Sequence, residues 1–452
     1  MATPTAGGVR RETGCARCAP ALSLRTMPSP IMLCPPLPEN RATAVVTSIP
    51  PPPSAPANPA LRPIISASPM PVNPATTGQY DDTVTAGWYG YRPALENRGI
   101  TFGGSLIQDD SWNFSGGVST RHIVYRARLD LNISFDTDRL FHLPGGQIYC
   151  DLMSIWGRDG NTSLLGSLQG FDNIDAAPSV TEVYELYYRQ KLWRDSLELK
   201  VGRMDANNVF DAQPDTGSFL IPSTTNAATD YLLPTFPSTV PGAVAYLRPL
   251  KDTTLKLGLF YTDRFHPTML DQFLNTLEPS NQPVGTFLIG ELDQQYRLGA
   301  GLPAEAGLGI FYHLGQVHRL DAGTQNGFAG GYGFIDQTFW RPSDHKSLAC
   351  FTTLSAVDGR VSPIDYASSD GLLGAGLFPG RPDDLISLAA NWAHVSARAG
   401  LPQPWELGLE SFYQFNLRRG ISLQPDLQYW IHPGGGAYPD ALVATIRLSL
   451  TF

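Results

Sequence analysis

The sequence predicts an all-β fold: a transmembrane antiparallel β-barrel of about sixteen strands, preceded by a disordered, proline-rich N-terminal segment. Three observations carry this. Hydrophobicity alternates with a period of two along most of the chain from about residue 99, within a barrel domain of residues 79–452, the apolar stripes are unusually long, and aromatic residues gather near strand ends. Composition agrees, with only 16% charged residues, 10% aromatics, and 44 Gly and 39 Pro to supply turns. No run of about 18 apolar residues occurs, so a helical membrane span is excluded.

Strands are expected from about residue 99. In His122–Asp136, Ile123, Tyr125, Ala127, Leu129, Leu131, Ile133 and Phe135 share one face, opposite Arg126, Arg128 and Asp130. In the segment TEVYELYYRQ, Tyr184, Leu186 and Tyr188 oppose Glu185 and Arg189. Leu197, Leu199 and Val201 oppose Glu198 and Lys200 in the next segment, and Arg203 follows Gly202, where a kink would turn it inward. Trp405–Arg418 sets Trp405, Leu407, Leu409, Ser411, Tyr413, Phe415 and Leu417 against a face that includes Glu410. Asp426 and Trp430 share a face, and Arg447 sits opposite the final apolar stripe, Leu442 to Phe452.

The same alternation occurs in a soluble β-sandwich, where apolar faces look inward. A membrane barrel inverts the assignment, with apolar faces on lipid and charges lining the lumen. The long stripes favour the barrel, as do the end-of-strand aromatics Tyr188, Trp193, Trp340, Tyr429 and Trp430. So does a chain that stops at the end of a strand, because closure leaves no unpaired backbone in lipid.

Residues 1–78 are rich in Pro, Ala and Ser and poor in aromatics, a composition that cannot bury a core. They read as a leader or linker, and the run Ala21–Leu24 is too short for the apolar part of a secretory signal. Cys15 and Cys18 form a CxxC with no second metal-ligand pair nearby, while Cys150 and Cys350 read as apolar fillers within strands. A net charge of −9 argues against nucleic acid as a partner. No nucleophile elbow, helical metal-ligand spacing or phosphate loop is present, so no enzyme, cofactor or metal is expected.

Four segments add a resemblance. Gly87–Ile100, Phe135–Asp151, Tyr184–Asp211 and Ile421–Phe452 resemble, in order, motifs of the carbohydrate-selective porins, the OprB family, with a departure at Tyr89, where Gly is usual. The resemblance covers roughly residues 80–452. It implies a short helix near 92–98, a sixteen-stranded outer-membrane channel of a Gram-negative bacterium, and passive diffusion of small, glucose-like sugars. It also implies outer-membrane lipid as surroundings, a terminal Phe452 read by the barrel-insertion machinery, and a monomer or homotrimer. An outer-membrane enzyme or adhesin, or a soluble sandwich binding module, are the alternatives.

A diffusion channel needs a constriction whose polar groups replace the solute's water without holding it. Sugar hydroxyls donate and accept, so carboxylates and guanidinium groups together suit them. The candidate contacts are Arg126, Arg128, Asp130, Glu185, Arg189, Glu198, Lys200, Arg203, Glu410, Asp426 and Arg447, with Trp430 as a stacking platform. The competing reading of each charge is that it braces the wall and touches no sugar.

Overall fold

The computed structural model describes residues 83–175, 179–229, 232–237, 239–262, 283–299 and 301–452; the proline-rich segment and Cys15, Cys18 and Cys34 lie outside them. The chain forms sixteen strands: β1 (Ile100–Ser115), β2 (Ile123–Asp136), β3 (Gly146–Gly157), β4 (Val180–Leu192), β5 (Leu197–Met204) and β6 (Val240–Leu250) come first. Next are β7 (Thr253–Thr262), β8 (Gly285–Leu298), β9 (Leu302–His318), β10 (Thr324–Ser343) and β11 (Lys346–Val357). The last five are β12 (Ile364–Ala375), β13 (Leu385–Val395), β14 (Trp405–Arg418), β15 (Ile421–Ile431) and β16 (Ala441–Thr451). Each pairs antiparallel with its chain neighbours, and β16 returns to β1 with Asp109 opposite Arg447, closing the barrel.

The period-two stripes fall as the barrel reading requires. Ile123, Tyr125 and Leu131 of β2 are exposed on the outer wall, while Arg126, Arg128 and Asp130 are buried inside. Leu308, Ile310, Tyr312 and Leu314 repeat the outward stripe on β9. A soluble sandwich would bury these stripes, so that alternative falls. One stripe departs from strict alternation. A bulge between β3 and β4 at Asp151/Leu152 turns Tyr184 inward beside Glu185, where it is fully buried, instead of outward with Leu186 and Tyr188.

The barrel is not hollow throughout. The described residues of the β3–β4 loop (158–175 and 179) and of the longer β5–β6 loop (205–229, 232–237 and 239) fold into the lumen and bury apolar side chains against it. Val209, Phe210 and Leu233 pack on Phe260, Phe287, Phe311, Phe328 and Phe334 of β7 to β10. Phe219 packs on Phe351 and Phe412, and Leu164, Leu165, Phe171 and Ile221 pack on Val124, Trp430 and Val443. Small residues on adjacent strands make room for these rings. A Cβ on Gly307 would lie 2.2 Å from the Phe334 ring. The apolar core therefore sits inside the lumen as several clusters spread around the wall, each built partly from wall and partly from loop.

A short helix, α1 (Tyr91–Glu96), lies across the β1/β16 seam at the end holding the chain's last residue. Arg92 is buried there, pairs with Glu96 at 3.5 Å, and donates to the carbonyls of Phe102 (2.8 Å) and Phe452 (3.4 Å). Val84 N donates to Thr451 O at 2.8 Å. Residues 83–99 therefore touch both strands that close the barrel.

Candidate functional site

The lumen is shaped by how its wall holds the two inward loops. A loop inside a barrel carries main-chain N–H groups that must find acceptors. Inward carboxylates on five positions supply them. Glu185 on β4 accepts from Asp205 N (3.0 Å), Glu291 on β8 from Asp211 N (2.6 Å), and Asp336 on β10 from Asp215 N (3.0 Å). Glu410 on β14 accepts from Leu220 N (2.5 Å) and Ile221 N (3.0 Å). Glu406, two same-face positions away on β14, accepts from Leu168 N (3.0 Å), Gln169 N (3.1 Å) and Gly434 N (2.6 Å). Such a bond contributes about 1.5–3 kcal/mol where the carboxyl is ionised, roughly twice a neutral pair.

Cations complete the clamp. Arg126 pairs with Asp172 of the β3–β4 loop, stands 3.8 Å from Asp175, and lies 4.9 Å from the Phe171 ring. Arg447 bridges Asp109 (2.7 Å) to Asn173 (2.6 Å) and Asp172 (3.4 Å). Burial pushes the Asp172 carboxyl up, but the two guanidinium groups outweigh it and hold the carboxyl below its ordinary range. Asp172 therefore stays charged, as the clamp requires.

The twelve residues expected from sequence sort into three groups. Arg126, Glu185, Glu410 and Arg447 hold loops, as described. Arg128 and Asp130 pair with each other at 2.8 Å, with the guanidinium 5.0 Å from the Phe236 ring. Arg203 is buried beside Gly202, whose φ of 151° brings the backbone close to Leu186. Asp426 is buried and accepts from Gln428 at 3.2 Å. Trp430 faces inward but is 0% exposed, packed against Ile221 and Gly408, with its N–H on Gln428. A ring covered on this scale offers no face to a passing solute, and its place is under the β5–β6 loop.

The third group faces open lumen. Arg189 and Lys200 are half-buried; Glu198 is the buried hub between Arg189 (3.8 Å) and Arg248 (3.2 Å). Lys256 forms a second centre with Glu291 (2.5 Å) and Asp293 (2.8 Å). Arg248, Lys256, Asp293, Asp336 and Glu406 were not singled out from sequence. Their signal was present, since each sits on the polar face of an alternating strand, but alternation alone does not say which inward polar residue meets a loop. Among the described residues, no group of His, Cys, Asp and Glu is arranged to hold a metal ion.

A closed sixteen-stranded barrel, apolar outside and polar within, with its bore narrowed by inward loops, defines an outer-membrane porin. Comparison with known proteins makes this particular. Residues 120–452 match the model of the carbohydrate-selective porin, OprB family, and the chain belongs to that family. Porin B of Pseudomonas aeruginosa is 21% identical over 422 residues, covering 81% of this chain and 90% of that protein. Porin AaxA of Chlamydia trachomatis serovar L2 is 33% identical, but over 90 residues, a fifth (20%) of either chain. The fold is that of Pseudomonas putida OprB in its high-pH structure (TM-score 0.75, 18% identity, 82% of this chain and 99% of that one). Its low-pH structure gives a TM-score of 0.56 at 16% identity, covering 82% and 98%. The protein is thus an outer-membrane porin of the Gram-negative type.

Proposed function

We propose that this porin passes small neutral sugars, glucose-like monosaccharides foremost, by passive diffusion through a charged constriction. The observation that carries the reading is that the partly exposed lumen cations Arg189, Arg248 and Lys256 are each paired with buried carboxylates. Arg189, Glu198 and Arg248 form one mixed-sign collar, and Lys256, Glu291 and Asp293 another. Paired charges present little net field to an ion, yet keep donors and acceptors for a solute that can do both. Arg189, Glu198 and Lys200 are therefore the proposed solute contacts. Arg126, Arg128, Asp130, Glu185, Arg203, Glu410, Asp426, Trp430 and Arg447 set the width of the passage by holding loops and wall.

Liposome swelling with refolded protein tests this. Glucose should enter faster than a disaccharide and faster than a zwitterionic amino acid of similar size. Equal rates for glucose and the zwitterion would remove sugar selectivity, and activity without any swelling would favour an outer-membrane enzyme or adhesin.

A further inference from the structure

The lumen face of β3 to β6 carries a row in which Lys200 and Arg248 stand among three tyrosines that have been given no role. Tyr149 and Tyr187, directly paired across β3 and β4, stack at 5.0 Å between ring centroids and 24° between planes. The Lys200 ammonium lies 5.0 Å from the Tyr187 ring and 5.4 Å from that of Tyr246. Arg248 closes the row, 5.6 Å from the Tyr246 ring. Ring, ring, cation, ring and cation thus brace one another around four adjacent strands.

Two features separate this row from the loop anchors. Its members are half-buried, so water reaches them, whereas the lumen tyrosines Tyr184 and Tyr332 are buried and donate to Asp205 and Glu291 under the β5–β6 loop. The Tyr149 and Tyr187 hydroxyls, by contrast, make no hydrogen bond with any described residue. Tyr187, Lys200 and Tyr246 each stand two residues from a collar member on the same strand: Arg189, Glu198 and Arg248. A solute leaving the collar meets the row next.

We propose that the Tyr149–Tyr187–Lys200–Tyr246 row is a second binding station for a neutral pyranose, its two free phenol hydroxyls exchanging hydrogen bonds with sugar hydroxyls beside the collar. The proposal rests on the sugar-diffusion reading. Stacking has already fixed the rings, so a sugar would order little when it binds there. The flanking cations donate but cannot accept, and the phenols supply the missing acceptors.

The test is the block of ion current through single channels by glucose, comparing the natural protein with the double variant Y149F/Y187F. Phenylalanine keeps the stacked pair and every ion pair, so ion conductance without sugar should be unchanged. The half-blocking glucose concentration should rise about tenfold, the loss expected for two modest hydrogen bonds. An unchanged half-blocking concentration in the variant, with clear block of the natural channel, overturns the station and leaves sugar diffusion standing. A natural channel that conducts ions but shows neither block nor faster glucose entry overturns both.

Discussion

Glu410 shows what a single inward carboxylate does here. Both oxygens are taken by consecutive main-chain N–H groups of the β5–β6 loop, and the residue has no exposure left. Glu410→Ala should strip two buried donors of their acceptor, at about 1–3 kcal/mol each. The loop should then loosen, seen as higher or noisier single-channel conductance and faster protease cleavage near residue 220; unchanged conductance would place the loop's hold elsewhere. That Glu410 faces inward was legible from alternation. Its partners were not, because they are main-chain groups 190 residues away in sequence, and every residue but proline has one. Trp430 failed as a platform for a related reason: its face was readable, its cover was not. Asp358, between β11 and β12, gives a pH prediction. The Arg360 hydrogen bonds hold its carboxyl well below the ordinary value, against an opposing push from burial. A depressed folded value means the link is intact above the unfolded pKa of about 3.9 and is lost only as pH falls through the lower folded value. Hydrogen exchange in residues 358–363 should therefore stay flat from pH 7 to pH 5, after correction for intrinsic rates, and rise only in strong acid.

At the scale of elements, strands were easy and loops were hard. Alternation located the strands because each must show one face to lipid, whatever else it does. It misplaced Tyr184, since a bulge shifts the register by one residue without any signal in hydrophobicity. The inward course of the β3–β4 loop left no periodic trace at all. What holds it is the meeting of Arg126, Arg447 and Asp172, together with Glu406 on the main-chain N–H groups of Leu168 and Gln169. Arg126→Ala should leave Asp172 a buried charge with one cation partner fewer, at about 3–5 kcal/mol. Adding Asp172→Asn should recover part of that loss. Urea unfolding of both variants checks the point, and equal destabilisation by the single and the double variant would count against a direct pair.

For the whole molecule, the seam matters most, because a barrel's stability depends on its first and last strands staying joined. Residues 83–99 cross that seam, and Arg92 reaches carbonyls on both sides of it. Arg92→Ala should lower the temperature at which the folded band is lost in detergent gels, without changing conductance. No change in that temperature would reduce α1 to a passive cover. The strands were contained in the alternation of side chains, and the barrel with its inverted faces in the length of the stripes and the aromatics at strand ends; the narrowing of its bore was contained in contacts between distant parts of the chain. The way those contacts are made has an evolutionary consequence. A carboxylate that grips main-chain N–H groups, as Glu410 does at Leu220 and Ile221, makes its bonds whatever side chain stands there, so long as that side chain still packs. A lineage can therefore change the loop side chains that face the bore and retune which solutes pass while inheriting the same scaffold, with proline excluded wherever a main-chain N–H is gripped.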